Sequence, residues 1–124
     1  MDEVSDTIEQ ELDINSPLAW RHFISEPSVR QFLEERVQHE PLFKQQLLRY
    51  IERSKGDKKW RTAVSNAITI LVQAGVQFIG ADLRGIQVLN ADLSYGIFDS
   101  AQFEGADLRQ VDLRGAWLRK ADLN

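Results

Sequence analysis

The sequence contains no cysteine, and it has only two histidines and three prolines among its 124 residues. The absence of cysteine excludes disulfides and thiolate metal sites, and it fits a reducing compartment. Residues 1–15 carry no basic residue and no long apolar run, so they do not resemble a secretory signal. The most apolar stretch, residues 67–76, is too short to span a membrane. We therefore expect a soluble cytoplasmic protein without membrane contacts.

Residues suited to catalysis are also scarce. His22 lies between Trp20 and Phe23, and the separation of His22 from His39 matches no metal-ligand motif. No phosphate-binding GxxxxGKS/T motif is present in the sequence. We therefore expect no catalytic residue, no metal and no cofactor, and we do not expect an enzyme.

The charged residues are unevenly distributed. Residues 1–15 contain six acidic residues and no basic residue, residues 16–74 contain ten basic and six acidic residues, and residues 75–124 contain seven acidic and five basic residues. An acidic leader of this kind is typical of a solvated, disordered tail. An alternative is that it folds back onto the basic segment by charge attraction.

Residues 16–74 show the apolar spacing of about four short helices. Ser16-Pro17 provides an N-cap and a proline at the first helical position, which predicts a helix carrying Trp20, Phe23 and Ile24. Three further helices are predicted after Pro27, after Pro41 and up to Gly75. Their apolar stripes contain Val29, Phe32, Leu33 and Val37, then Phe43, Leu47, Leu48 and Ile51, and finally Trp60, Ala63, Val64, Ala67, Ile68 and Leu71.

A period of five residues begins at residue 76, as in GADLRQVDLRGAWLRKADLN at 105–124. A step of five turns a side chain about 140° past a full turn of an α-helix, and in a strand it alternates between faces. A chain that bends at a corner every five residues keeps every fifth side chain inside. Glycines at 80, 85, 105 and 115 share one phase, where corners need a permissive backbone. The inward positions are Phe78, Leu83, Val88, Leu93, Phe98, Phe103, Leu108, Leu113, Leu118 and Leu123.

The units ADLRG at 81–85, ADLSY at 91–95, ADLRQ at 106–110 and ADLN at 121–124 resemble pentapeptide repeats. This resemblance implies a right-handed quadrilateral β-helix with four pentapeptides in each coil. The expected fold is therefore α+β, with an acidic tail at 1–15, a helical domain at 16–74 and a β-helix of about 2.5 coils at 75–124.

So short a repeat array needs caps, because each repeat buries its apolar surface against its neighbours. The last helix runs directly into the first repeat. We expect it to lie across the open first coil and to cover Phe78, Leu83, Val88 and Leu93, so that the two halves unfold together.

A second resemblance lies in residues 62–86 and in the helical sequence before them. These segments are similar to the region that connects a NACHT-type NTPase to WD40 repeats in large multidomain proteins. Only this connecting region is matched, because the phosphate-binding and WD motifs are absent.

Trp117 occupies an outward position at which most other units carry Asp or Gln, and Ile97 lies twenty residues before it. These two residues predict an exposed apolar column that binds a protein partner, a downstream segment of the same chain or a second copy. An alternative is that they pack against the helices of this chain.

The expected function is a non-enzymatic protein interaction scaffold or a structural and regulatory connecting module. The alternatives are a free-standing dimerising repeat protein and a DNA mimic that binds a type II topoisomerase, as some members of the family do. Arg53, Lys55, Lys58, Lys59 and Arg61 form a basic cluster. Such runs are usually solvated, and we do not expect a nucleic-acid partner.

Overall fold

The computed structural model describes residues 27–123, apart from the side chain of Val29. The acidic tail predicted at 1–15 and the helix predicted after Pro17 lie outside the described residues.

Three α-helices and one short 3₁₀ helix come first in the described chain. They are α1 (Pro27–His39), α2 (Pro41–Ser54), the 3₁₀ helix Lys58–Trp60 and α3 (Arg61–Gln73). α1 and α2 each begin with a proline, whose fixed φ suits the first helical turn. Gly56, at a φ of 76°, allows the chain to reverse after α2.

Helix α3 is the centre of the helical part. Every residue from Ala63 to Val72 is buried, including Ser65, Asn66 and Thr69. α1 and α2 both pack against it. Phe32 was predicted on the apolar stripe of α1, but the structure leaves its side chain exposed.

The chain from residue 76 onward forms a stack that we call the repeat stack. Its successive stretches, or coils, are joined by isolated parallel bridges between residues twenty apart. These bridges are Asp82 to Gln102, Gln87 to Asp107, Asp92 to Asp112, Ile97 to Trp117 and Gln102 to Asp122. Turns separate the bridges at every fifth residue.

The expected α+β fold with a right-handed quadrilateral β-helix is wrong. Residues 27–123 contain no β-strand and no sheet, and their regular secondary structure is all helical. The physical reason lies in the five-residue period. The chain turns at a corner after each bridged residue, so two consecutive residues never both form bridges. The sequence predicted the corners, but it did not predict that one residue per unit is too few for a strand.

The corners use left-handed backbone. Gly80, Gly85, Gly105 and Gly115 have φ between 68° and 75°, as this position requires. Residues with side chains occupy the other corners at φ near 60°: Asn90, Tyr95, Ser100, Gln110 and Lys120.

The inward positions become more exposed along the stack. The first six, from Phe78 to Phe103, are buried. Leu108, Leu113 and Leu118 are partly buried and pack against the core, while Leu123 is 54% exposed. The buried residues of α1, α2, α3 and the stack form one continuous cluster. Phe98 lies within it, 5.5 Å from Phe78 and 5.6 Å from Phe103 between ring centroids.

The first coil of the stack, residues 76–95, has no coil above it among the described residues. Hydroxyl groups from the helices contact it on that side. They accept hydrogen bonds from backbone N–H groups: Ser54 Oγ from Gln87 at 3.4 Å, Ser65 Oγ from Leu89 at 2.9 Å, and Thr69 Oγ1 from Asp92 at 3.0 Å. Deeper in the stack, the N–H of Asp112 instead donates to the carbonyl of Ala91, in the coil above. The hydroxyls of Ser54 and Thr69 therefore replace carbonyls of a missing coil, since the N–H groups of Asp107 and Asp112, one coil below their partners, donate to carbonyls of the first coil.

Amide and ammonium groups from the helices complete the same edge. Gln73 Nε2 donates to the carbonyls of Asp92 and Ser94 at 3.4 and 3.3 Å, and Lys55 Nζ donates to the carbonyl of Asp82 at 2.8 Å. The N–H of Gly56 donates to the carbonyl of Gly85 at 3.3 Å. The helices thus cap the first coil from residue 82 to residue 94.

Candidate interaction surfaces

Ile97 and Trp117 lie one above the other on the repeat stack. A parallel bridge joins them, and the N–H of Trp117 donates to the carbonyl of Gly96 at 2.8 Å. Trp117 is 54% exposed and Ile97 is half-buried. The guanidinium carbon of Arg119 lies 5.3 Å from the centroid of the Trp117 ring, within the range of a cation–π contact. The ring is therefore exposed but held by its neighbours.

Tyr95 extends this surface, although it was not among the residues predicted from the sequence. Its side chain is 77% exposed and lies at the corner before Ile97. A Cβ added to Gly115 would lie 2.5 Å from the Tyr95 ring, which shows that the ring rests on the backbone of the next coil. An aromatic residue at a corner that elsewhere carries Gly or a polar residue was the signal available in the sequence. We call Tyr95, Ile97 and Trp117 the aromatic surface.

Three of the repeat aspartates pair with arginines two residues later. The distances between side-chain nitrogen and carboxylate oxygen are 2.9 Å for Asp82 and Arg84, 2.7 Å for Asp107 and Arg109, and 2.8 Å for Asp112 and Arg114. In each unit the aspartate also accepts from the backbone N–H of its arginine, as Asx turns do.

These contacts stabilise the charged form of the carboxylates. The hydrogen bond from the Arg109 side chain lowers the pKa of Asp107 to about 2. The side chains of Arg84 and Arg114 likewise lower the pKa values of Asp82 and Asp112. A carboxylate that stays ionised and bound to an arginine is poorly suited to proton transfer near neutral pH. These three aspartates are therefore structural residues of the corners.

The basic cluster surrounds the connection between α2 and α3. Arg53 lies over the Trp60 ring at 5.5 Å, and Lys55 is bound to Glu52 and to the first coil. Lys58 and Lys59 are exposed. Trp60 itself packs on Tyr50 with 5.5 Å between ring centroids, so its ring is partly covered and less able to stack on a nucleic-acid base.

Of the two histidines, His22 lies outside the described residues and His39 lies in the last turn of α1. Within the described part of the chain, no group of three or more His, Cys, Asp or Glu residues is placed to hold a metal ion. The helices between residues 27 and 73 are all too short and too polar to cross a bilayer.

Comparison with known proteins identifies the repeat stack. A family model of pentapeptide repeats matches residues 74–110 and 89–124, with eight copies. Residues 74–124 of this chain are similar to pentapeptide repeats. No curated protein and no solved structure matches the chain. The matched region begins where α3 ends, and it contains the whole aromatic surface. The resemblance of the helical part to a connecting region of NACHT and WD40 proteins stays a prediction.

Proposed function

We propose that this chain is a non-enzymatic protein interaction module, and that the aromatic surface binds a partner protein. The pentapeptide repeat match supports a repeat protein without chemistry of its own. The observation that carries the proposal is the exposure of Tyr95 and Trp117 on a rigid support. Each ring rests on neighbouring groups of the stack, so little side-chain entropy is lost when a partner covers it.

The surroundings of the aromatic surface favour a protein partner. Arg114 and Arg119 flank it, yet each is bound to an aspartate of the stack, at 2.8 and 3.4 Å. Little free charge is left for a purely electrostatic ligand, while the apolar side chains remain exposed. A protein surface with an apolar patch and a polar rim fits this arrangement. A cytoplasmic location and a connecting role between domains of a larger protein belong to the same proposal.

Photo-crosslinking tests this proposal. A photoreactive phenylalanine at position 117 should give one discrete adduct in cells, and Tyr95→Ala in the same chain should reduce its yield about tenfold. The same group at position 58, an exposed lysine away from the aromatic surface, is the matched control. Equal adduct patterns from the two positions would show that the aromatic surface has no specific partner.

A second candidate function is self-association of a free-standing repeat protein. It is favoured by the exposed side chains of Tyr95 and Trp117, which a second copy could cover. Light scattering after size exclusion, over a concentration series, tests it. A dimer that Trp117→Asp dissociates would place the aromatic surface between two copies, whereas a monomer at every concentration would argue against self-association.

The third alternative, mimicry of DNA toward a type II topoisomerase, receives less support. Such mimicry needs an uninterrupted acidic surface. Three of the repeat aspartates are neutralised by the arginines that follow them. A supercoiling assay with gyrase should therefore show no inhibition at high protein excess.

A further inference from the structure

The helical cap covers only part of the first coil. Between residues 82 and 94 the helices and their connection supply hydrogen-bond partners, and the N–H of Val76 donates to the carbonyl of Leu71 in α3 at 3.0 Å. Among the described residues, the backbone N–H groups of Gln77 and Asp82 and the carbonyl groups of Gln77 and Ile79 make no hydrogen bond. We call residues 77–82 the uncapped segment. Gln77, Ile79 and Asp82 are all exposed.

The coil below, which contains residues 97–102, shows which hydrogen-bond partners are missing. There, the N–H of Gln102 donates to the carbonyl of Ala81, and the carbonyls of Ile97 and Asp99 accept from the N–H groups of Phe78 and Gly80. The corresponding groups twenty residues earlier are the N–H of Asp82 and the carbonyls of Gln77 and Ile79, which lack partners among the described residues. A backbone that lies above residues 77–82 and bends above the corner at Gly80, as each coil does, would satisfy them in the register that the stack already uses.

Two clefts border the uncapped segment and would receive side chains of such a backbone. One has a volume of about 220 Å³ and lies between α2 and the first coil, with Leu48, Ile51 and Phe78 in its wall. It lies next to two inward positions of the stack, Phe78 and Leu83. An apolar side chain entering there would occupy the place that an inward residue of a further coil would take.

The other cleft has a volume of about 390 Å³ and lies at the start of the uncapped segment. Its wall includes Val37, Gln38, Lys44 and Gln77. Lys44 is the one charged residue in the wall of this cleft. Within residues 27–123 its side chain forms no ion pair. A carboxylate on the bound segment would complement this charge.

We infer that the uncapped segment is a binding site for a peptide of a partner protein, which adds its backbone above residues 77–82 and bends above the corner at Gly80. The peptide places an apolar side chain between α2 and Phe78 and an acidic side chain near Lys44. This site is separate from the aromatic surface, which lies on the outward face of the stack. Main-chain hydrogen bonds supply the register, and the two clefts supply the sequence preference.

The probe for this site is a synthetic peptide with the sequence of residues 97–105. In the stack this segment already lies beneath residues 77–85 and bends at Ser100, and it carries two phenylalanines and two acidic residues. Titrated into the ¹⁵N-labelled full chain, it should shift the amide signals of Gln77, Ile79 and Asp82 and slow hydrogen exchange at Asp82, whose N–H would gain a carbonyl partner. Saturation is expected at about 1 mM peptide or below.

Two charge-reversal variants test whether the peptide binds at this site. Lys44→Glu should weaken binding about fivefold or more, while Lys58→Glu, an exposed lysine elsewhere on the helices, should leave it unchanged. A peptide with both phenylalanines replaced by serine should not bind. The Trp117→Asp variant should bind the peptide with unchanged affinity, because Trp117 lies on the aromatic surface and not at this site. A failure of peptide binding would therefore count against this site alone, and a failure of crosslinking at position 117 would count against the proposed function alone.

Three results would overturn the inference. The first is the absence of shifts in residues 77–82 at 2 mM peptide, a concentration about twofold above the expected saturation. The second is a set of shifts confined to Leu108, Leu113 and Leu118, which would place the peptide at the lower end of the stack. The third is equal affinity of the wild-type chain and Lys44→Glu.

Discussion

The contact between Thr69 and Asp92 joins the two halves of the molecule, and its removal is the sharpest test of the capping argument. Thr69 is buried in α3, and its Oγ1 accepts from the N–H of Asp92 at 3.0 Å. Thr69→Val keeps the shape of the side chain and leaves no cavity. It removes only the acceptor, so the N–H of Asp92 loses its partner beneath the helix.

A partly buried N–H group without a partner costs about 1–3 kcal/mol. For a domain of this size, each kcal/mol lowers the melting temperature by roughly 4–8 °C. Thr69→Val should therefore melt about 4–24 °C below the wild-type chain. Thr69→Ser is the matched control, because it keeps the hydroxyl oxygen, and it should fall within about 1 kcal/mol of the wild type.

Urea unfolding followed by circular dichroism, together with hydrogen exchange of individual amides, measures both variants. Exchange at Leu93 reports the stack and exchange at Ile70 reports α3. Because one continuous core joins the two, both amides should lose protection together. Equal stabilities of Thr69→Val and Thr69→Ser, or loss of protection at Leu93 alone, would refute the idea that α3 replaces a coil.

Three other predictions follow from burial, charge and backbone geometry. Phe98→Ala should cost about 3–5 kcal/mol in urea unfolding because its ring is fully buried, whereas Leu123→Ala should cost less than about 1 kcal/mol because its side chain is 54% exposed. The folded pKa of Asp107, about 2, lies below the unfolded value, so its contribution to stability is present above about pH 4 and is lost as the pH falls toward 2. Asp107→Asn should flatten that part of the stability curve, and an unchanged acid limb would contradict the ion pair. Gly115→Ala should destabilise more than Gly105→Ala, since both adopt a positive φ but only the first places a Cβ 2.5 Å from a tyrosine ring. Equal melting temperatures of the two alanine variants would argue against that packing.

Much of this architecture follows from the sequence because the signals are periodic and local. A step of five residues cannot bury Phe98 and Phe103 together in a helix or a strand, so it requires a corner in each unit. The prolines at 27 and 41 set the beginnings of α1 and α2. Trp117 stands out because it breaks the polar pattern of the outward positions.

Other features were decided only by the tertiary structure. Whether a bridged residue becomes part of a strand depends on its neighbours' pairing, and the corners leave each bridge isolated. In the sequence, Ser65 and Thr69 are ordinary polar residues of a predicted helix. Only the tertiary structure shows that their hydroxyls accept hydrogen bonds from the first coil.

The sequence by itself determined the five-residue period, the inward positions and the helices that precede them, since these depend on spacing and on local backbone preferences. The tertiary structure decided which groups meet across the two halves. It placed Tyr95 on Gly115, set the hydroxyls of α3 against the first coil, and left backbone groups of Gln77, Ile79 and Asp82 without partners within residues 27–123. Contacts of this kind join residues far apart in the chain, and no local pattern specifies them.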